Sequence, residues 1–384
     1  MTDPTRATWA HVLKSRIRPV VVTVLVLPVA YWDAWYGLSS FGPPGWTWPL
    51  YPPALLAAAV LFGLFVTLAT AAWPPARRDR LFHYLEAVLR CCLAFLFIFF
   101  GMAKLYPGQF RMYNRDLDMT LAEVPARRLA WRFLGYSALY NGFIASTELL
   151  AGTLLCFRPT IALGSVVGLA VMANVVVIDY AFGIRGPLPV AAMMLVTSIL
   201  LLTAFPDYVR ALVMHSPSRD ASGPVPGPRR MAGSLIILAV MLGVTIHYGV
   251  NTTAGLRTVN PPTGRWDIVR CDPDQSLLIC QPRTSVLYLE IGRWGELVLG
   301  SKRHRLSFAY DPVTDSVRID SLPASSTDVP IVTLRGRLTA TDSTATLEGS
   351  GPGVPPFKLY IRRTRMVRWV SRERSENTGR DART

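Results

Sequence analysis

The stretch LFHYLEAVLRCCLAFLFIFFGMAKL, residues 81–105, decides the fold class of this chain. A helix that crosses a bilayer needs about 20 mostly apolar residues. This stretch is longer than that, and Glu86, Arg90 and Lys104 are its only Asp, Glu, Lys or Arg residues. The sequence therefore predicts a membrane-spanning helix with a few ionisable side chains inside it.

Composition supports a membrane protein. Of the 384 residues, 51% are hydrophobic and only 17% are charged, whereas a soluble domain usually carries about 25% charged residues. These values exclude a disordered chain, a nucleic-acid coat and a small disulfide scaffold. Basic residues also lie in loops at both predicted membrane faces, without a single groove of interleaved aromatics, so nucleic-acid binding is not expected.

Further apolar stretches on either side of residues 81–105 reach a similar length. Together they predict a polytopic bundle of about seven transmembrane helices, at residues 19–38, 53–73, 81–105, 129–157, 160–181, 187–205 and 231–250.

Lys and Arg in the short loops predict the orientation of this bundle. With a cytoplasmic N-terminus, the inside loops hold 12 basic residues and the outside loops hold 5. We therefore expect a multi-pass plasma-membrane protein whose C-terminal domain is extracytoplasmic. If the seventh helix does not span the membrane, that domain is cytoplasmic instead.

From about residue 260 the pattern changes to short alternating runs separated by turn residues, which is typical of an antiparallel β barrel or sandwich. The runs are residues 266–271, 277–281, 285–291, 296–299, 305–309, 316–319, 331–338, 345–347 and 357–362. This C-terminal all-β domain ends in an Arg-rich tail. The tail is either a solvated terminus or a contact with anionic membrane lipids.

The predicted domain organisation follows from these patterns. Residues 1–80 form two transmembrane helices, 81–212 a four-helix core and 213–230 a Pro/Gly linker. Residues 231–250 form the seventh transmembrane helix, and 251–384 the β-rich domain with its basic tail.

Two of the five cysteines, Cys271 and Cys280, fall in the predicted extracytoplasmic domain. An oxidising compartment favours a disulfide between them, and the alternative is two unpaired thiols in strands. Metal binding is not expected, because no cluster of metal-ligand residues occurs in the sequence.

Ionisable residues inside membrane helices are candidates for function. Counting from the inner ends of the two antiparallel helices places Arg90 and Glu148 at similar depth, which predicts an ion pair between them. Arg90 alternatively bridges to Glu86 on its own helix. Ser137 and Asn141 share the helical face of Glu148 and are candidate ligands for a substrate.

A second ion pair is predicted between Lys104 and Asp179 near the outer ends of their helices. Snorkelling of Lys104 to the membrane surface is the alternative. Asn174, near the midplane of the fifth helix, is a third candidate substrate ligand. Arg90 and Glu148, followed by Lys104 and Asp179, are the candidate catalytic residues.

Several short motifs, in this order and spacing, resemble the DoxX-like family of integral membrane proteins. The likeness covers roughly residues 80–210 and continues faintly to about 375. The motifs in the helices are Leu89-Arg90, Phe100-Gly101-Met102-Ala103-Lys104, Gln109-Phe110, Glu148-Leu149-Leu150-Ala151-Gly152, Phe157-Arg158-Pro159-Thr160, Leu163-Gly164 and Val171-Met172-Ala173-Asn174-Val175-Val176. The C-terminal stretch Leu359-Tyr360-Ile361-Arg362-Arg363 resembles the β domain of the long members.

The resemblance implies a four-helix core and a link to redox pathways that use quinones. One hypothesis is a redox component in which Arg90 and Glu148 polarise or protonate a quinone, with electrons supplied by a partner protein. A second is a non-catalytic assembly, transport or interaction protein. A third is an enzyme that acts on an isoprenoid or another lipid by acid–base chemistry, with Glu148 or Asp179 as the acid.

Overall fold

The chain forms two compact units, each described here by itself. One contains Met1–Gln109 and Ser137–Asn251, and the other contains Phe110–Tyr136 and Thr252–Thr384. We call them the helical unit and the barrel unit. The computed structural model describes residues 20–22, 24–26, 29–30, 52–106, 109–110, 113–205, 208, 228–257, 263–272, 285–290, 294–299, 302–311, 313–321, 333–338, 343–351 and 354–365.

Seven helices with complete boundaries lie in this described part. They are α1 (Pro52–Ala69), α2 (Pro75–Leu105), α3 (Ala126–Tyr136), α4 (Ala138–Cys156), α5 (Ile161–Ala181), α6 (Leu188–Leu202) and α7 (Pro228–Arg257).

Three helical segments in the described part of the chain are long and apolar enough to cross a membrane: Pro75–Leu105, Arg158–Ala181 and Met231–Asn251. The helices α1 and α6 are apolar but shorter in their described lengths. These findings fit a membrane protein, but they do not confirm the predicted number of seven transmembrane helices. Most of the first predicted span, residues 19–38, lies outside the described residues.

The fourth predicted span, residues 129–157, is two helices rather than one. The amphipathic α3 ends at Tyr136 and α4 begins at Ala138. Ser137 between them caps α4, since its Oγ accepts a hydrogen bond from the Tyr140 N–H at 3.2 Å. Serine is favoured at this position because it satisfies a backbone N–H that has no partner within the helix. Three arginines in α3 also oppose its inclusion in a continuous membrane helix.

Close glycine contacts hold α2 and α4 together in an antiparallel pair. A Cβ atom at Gly152 would meet the Ala94 carbonyl oxygen at 2.8 Å, and one at Gly101 would meet Leu149 at 2.8 Å. Small residues allow such close approach of helices. The core that α2, α4, α5 and α6 share contains fully or nearly fully buried side chains, including Leu89, Leu93, Phe97, Leu155, Met172 and Met194.

The last helix, α7, packs against α2 near the C-terminal ends of both. The rings of Phe99 and Tyr248 lie 5.0 Å apart, and a Cβ atom at Gly249 would overlap the ring of Tyr106. The chain therefore leaves α2 and α7 at the same end of the helical unit.

The barrel unit contains eight described strands that form a closed antiparallel barrel in which each strand pairs with its neighbours in sequence and β1 also pairs with β8. They are β1 (Gly264–Asp272), β2 (Ser285–Glu290), β3 (Trp294–Leu299), β4 (Lys302–Asp311), β5 (Ser316–Ser321), β6 (Thr333–Arg337), β7 (Thr344–Gly351) and β8 (Val354–Arg365).

Side chains fill the interior of this barrel, with Trp266, Leu289, Leu347 and Leu359 each fully buried. The predicted C-terminal all-β domain is thus confirmed as a barrel. Eight of the nine predicted strand runs overlap the observed strands, and the run at 277–281 lies outside the described residues.

Phe110–Tyr136 belongs to the barrel unit and not to the helices between which it lies in sequence. The predicted boundaries had included this segment in a continuous core at residues 81–212. The difference arises because the segment makes its contacts with residues of the barrel strands, which the linear hydropathy pattern does not reveal.

Candidate functional site

A buried ion pair between α2 and α4 lies in the helical unit. The Lys104 ammonium group contacts both carboxylate oxygens of Glu148, with Nζ 2.9 Å from Oε1 and 2.7 Å from Oε2. Glu148 is 1% exposed and Lys104 is 7% exposed. Lys104 Nζ also lies 3.4 Å from the Phe100 carbonyl oxygen. A charge buried this deeply requires a partner, and here each charged group provides it for the other.

The predicted ion pair between Arg90 and Glu148 is not formed, since Glu148 pairs with Lys104 instead. The predicted depth match assumes that the inner ends of the two helices lie at one level, but Gly152 packs against Ala94 and Ile98, and Gly101 packs against Leu149. Glu148 therefore lies level with the C-terminal part of α2, where Lys104 is. Arg90 is half-buried, and its Nε has no hydrogen-bond partner among the described residues.

Two other polar residues surround the ion pair. Asn141 donates a hydrogen bond from Nδ2 to the Lys104 carbonyl oxygen at 2.8 Å. Asp179 is 6% exposed and lies within electrostatic range of Lys104, although the expected ion pair between these two residues is not formed because Glu148 occupies the ammonium group. Asn141 Oδ1 and Asp179 Oδ2 are buried acceptors without a hydrogen-bond partner among the described residues. We call Lys104, Asn141, Glu148 and Asp179 the membrane cluster.

Two of the predicted substrate ligands lie elsewhere. Ser137 caps α4 through its hydroxyl oxygen, so it does not continue a helical face with Asn141 and Glu148. Asn174 is exposed on α5, whereas Asp179 on the same helix is buried. This agrees with the angular separation of the two positions on an unbroken helix.

The cysteines divide between the two units. Cys91, Cys92 and Cys156 in the helices form no disulfide. Cys271 on β1 is buried and disulfide-bonded. Cys280 lies outside the described residues, so the pairing of Cys271 with Cys280 stays a prediction.

A second cluster of charged groups, in the barrel unit, was not predicted. Asp116 is 5% exposed, and its Oδ1 accepts a hydrogen bond from Arg128 at 2.6 Å and lies 3.4 Å from Arg132. Arg128 and Arg132 are four residues apart on α3 and therefore face the same way. These contacts fold residues 113–136 onto themselves.

Glu290 on β2 joins this folded segment to the barrel. Its carboxylate accepts hydrogen bonds from the Asn114 N–H at 3.1 Å, the Asn114 side chain at 3.1 Å and the Arg115 N–H at 3.0 Å. Asn114 is the first residue of a short 3₁₀ helix, Asn114–Leu117, where N–H groups lack intrahelical partners. Burial raises the pKa of Glu290 to about 7, although these hydrogen bonds and Arg115 oppose the rise.

Further contacts surround this junction. Arg115 pairs with Glu296 at 3.1 Å, and burial lowers the pKa of the arginine against the opposing effect of that carboxylate. The Tyr288 hydroxyl donates to Asp118 at 2.7 Å, and burial together with this hydrogen bond raises the tyrosine pKa. The segment is therefore fixed to β2 and β3 by a network of ion pairs and hydrogen bonds.

The sequence did contain a signal for this network. Asp116, Asp118 and Glu123 lie among arginines in a single loop. The i, i+4 spacing of Arg128 and Arg132 also places both guanidinium groups on one side of a helix, where they can reach the same carboxylate. Among the described residues, no group of three or more His, Cys, Asp or Glu side chains is placed to bind a metal ion.

Comparison with known proteins identifies a bacterial relative of this chain. No family model and no solved structure matches the chain, so the DoxX-like resemblance stays a prediction. The chain is similar to the uncharacterized protein YwoB of Bacillus subtilis strain 168, with 35% identity over 118 residues. The aligned segment is 31% of this chain and 75% of YwoB. The chain therefore belongs to the same family as YwoB.

Proposed function

We propose that this protein is a membrane-embedded component of a quinone-linked redox pathway, that it works with a partner protein, and that the membrane cluster binds the quinone. The observation that carries this proposal is the pair of buried acceptor atoms, Asn141 Oδ1 and Asp179 Oδ2, next to the Lys104–Glu148 ion pair. Buried polar atoms are ordinarily satisfied, and a ligand with hydroxyl donors would satisfy these.

The chemistry of the cluster suits the quinol form of such a ligand. A quinol hydroxyl is a donor, which matches the two acceptors, and a quinone carbonyl is an acceptor, which matches the Lys104 ammonium group. Interconversion of the two forms moves two protons and two electrons. A carboxyl group in hydrogen-bond reach of the hydroxyl provides a site for a proton, and the partner protein would exchange the electrons.

Asp179 offers the sharpest test because, among the described residues, it forms no ion pair that its replacement would break. We expect the full-length protein, purified in detergent, to retain a quinone that mass spectrometry detects in amounts comparable to the protein. Asp179→Leu removes the acceptor and replaces it with an apolar side chain of similar size. The retained quinone should fall by about tenfold, which corresponds to the loss of one buried hydrogen bond.

The matched control is Ser165→Ala, on the same helix. Ser165 is also buried, and its Oγ has no hydrogen-bond partner among the described residues. This variant should retain quinone at the wild-type amount. Equal retention in Asp179→Leu and wild type would contradict a quinone site in the membrane cluster, and a specific isoprenoid in place of quinone would favour the lipid-enzyme hypothesis.

The barrel unit supports a second candidate, a non-catalytic assembly or interaction protein. Its specific support is the fixed junction at Glu290, which gives the barrel and the Phe110–Tyr136 segment one continuous surface. Two results together would favour this candidate. Mass spectrometry would detect bulk phospholipid and no quinone in all samples, and Asp179→Leu would complement a deletion strain as well as wild type does.

A further inference from the structure

The helix α5 exposes the polar side chain of Asn174 within an apolar span. The segment Arg158–Ala181 is long and apolar enough to cross a membrane, and Asn174 lies seven residues before its end. At 1.5 Å per residue, Asn174 is about 10 Å inside the nearer end of the span. Its side chain is exposed, and its amide forms no hydrogen bond with the described residues.

Several other polar side chains of the helical unit find their hydrogen-bond partners within the protein. The hydroxyl groups of Thr67, Thr197 and Thr245 donate to the carbonyl oxygen four residues earlier, at 2.7, 2.7 and 3.0 Å. The amide of Asn141 donates to a carbonyl oxygen of α2. A polar group without a partner is costly in hydrocarbon, because no water is present there to replace the missing hydrogen bonds. Lipid is therefore an unfavourable environment for the Asn174 amide.

Asn174 belongs to an exposed stripe on α5, which we call the Asn174 stripe. Its members are seven, four, three and four residues apart and so lie within about 60° on one side of the helix: Leu163, Ala170, Asn174, Val177 and Ala181. The opposite side of α5 is already packed. A Cβ atom at Gly164 would meet Leu154 of α4 at 3.0 Å, and one at Gly168 would meet Phe97 of α2 at 2.8 Å. The stripe is thus the side of α5 that an additional helix can cover.

The chemistry of the stripe favours the same helix of a second copy of this chain. A carboxamide is both a donor and an acceptor, so two Asn174 side chains can satisfy each other. A two-fold axis perpendicular to the membrane brings the same residue of both copies to the same depth, and the two amides then meet in register. The small side chain of Ala170, one turn away, allows the two backbones to approach closely. A single Asn in an apolar helix seam is a known means of specifying register and the number of helices.

We infer that α5 forms a dimer interface with α5 of a second copy, centred on hydrogen bonds between the two Asn174 side chains. Asp179 lies on the buried side of α5. Dimerisation through the Asn174 stripe therefore leaves the membrane cluster of each copy intact, whatever ligand that cluster binds.

Sedimentation equilibrium of the full-length protein in density-matched detergent measures the dissociation constant of this dimer. We expect a dimeric wild type, and Asn174→Leu should raise the dissociation constant by about tenfold, as for the loss of an interhelical hydrogen bond. Asn174→Gln keeps the carboxamide and should stay within about threefold of wild type. The matched control is Val240→Leu on α7, at a side chain that is 61% exposed, and it should leave the dissociation constant unchanged.

Photo-crosslinking in the native membrane tests the same interface with Asn174 in place, so it does not depend on the folding of the Asn174 variants. The photoreactive residue p-benzoylphenylalanine replaces Val177, which is 66% exposed, in one sample and Val240 in the matched control. We expect a crosslinked dimer of this chain from position 177 and none from position 240.

A monomeric wild type, or equal dissociation constants for wild type and Asn174→Leu, would overturn the inference. Crosslinks from position 177 to lipid alone would also overturn it. Crosslinks from position 177 to a different protein would overturn it as well, and they would identify a partner helix that supplies the hydrogen bonds of Asn174.

Discussion

The helical unit and the barrel unit each bury a glutamate, and they satisfy its carboxylate in different ways. Glu148, 1% exposed, is held by a single ammonium group from a neighbouring helix. Glu290, 2% exposed, is held by two backbone N–H groups and one side-chain amide, with an arginine nearby. The first depends on one residue, whereas the second depends mainly on the backbone of a helical turn.

This difference separates two roles of buried charge. A pair that rests on two side chains can be lost through one substitution, which leaves a buried charge without compensation. Backbone donors persist through any substitution that keeps the turn. We therefore expect the membrane cluster to be sensitive to single substitutions and the Glu290 junction to be sensitive mainly to pH.

The largest expected effect is that of Glu148→Gln on the helical unit. The variant leaves the Lys104 ammonium group buried without its carboxylate, which costs about 3–5 kcal/mol in comparable pairs. Thermal unfolding of the full-length protein in detergent, followed by the helical circular dichroism signal, measures this loss.

A double variant distinguishes a structural pair from an independent requirement for each charge. Lys104→Met with Glu148→Leu removes both charges, and we expect it to recover at least about half of the lost stability. A cost below about 1 kcal/mol for Glu148→Gln would contradict the view that the pair is desolvated.

A smaller effect is expected for Glu290, and its sign follows from the raised pKa of about 7. The unfolded chain ionises this glutamate near its ordinary pKa, so the unfolded state loses the proton first as pH rises. The contribution to stability is complete below about pH 4.5 and is lost as pH rises through about 7, a change of roughly 3 kcal/mol.

Glu290→Gln cannot ionise, so the difference in unfolding free energy between it and wild type should vary with pH over this window. Denaturant unfolding at a series of pH values, monitored by the β-sheet signal, gives that difference. Parallel pH profiles for the two proteins would show that Glu290 keeps an ordinary pKa.

The smallest effect on stability is expected at the solvent-exposed edge of the ion-pair network in the barrel unit. Arg303 lies 3.4 Å from Glu123, a side chain that is 53% exposed. Exposed ion pairs contribute about 0–1 kcal/mol, so Glu123→Gln should lower the unfolding free energy by less than about 1 kcal/mol. A larger loss would indicate that this exposed ion pair stabilises the Phe110–Tyr136 segment as much as Glu290 does.

The β domain was predictable from the sequence because each strand has its own alternation and turn residues. Eight runs from Trp266 to Arg362 correspond to strands. The sequence left a barrel and a sandwich as alternatives, and the pairing of β1 with β8 in the structure identifies a barrel. The helices α1, α2, α5, α6 and α7 were also predicted in position, since their apolar runs are continuous.

The sequence predicted which residues form the candidate site, but not which of them form ion pairs with each other. Lys104, Glu148, Asn141 and Asp179 were all named, yet Glu148 was assigned to Arg90. Pairing between helices depends on relative depth, and a few residues of error at a helix end change the partner. The loop network was missed because Asn114 and Glu290 are 176 residues apart, and local sequence patterns do not report such contacts.

The 176-residue separation of Asn114 and Glu290 determines the order in which contacts can form while the chain is synthesised. The Asp116, Arg128 and Arg132 contacts are local and can form as soon as the segment leaves the ribosome or the membrane-insertion machinery. Its Asn114 and Arg115 N–H groups find Glu290 only after α4 to α7 and the first barrel strands have been made, because domains assemble as the chain emerges. The loop at residues 113–136 is thus complete long before the barrel is. If translation stopped before Glu290 was made, the turn at Asn114 would lack its carboxylate partner.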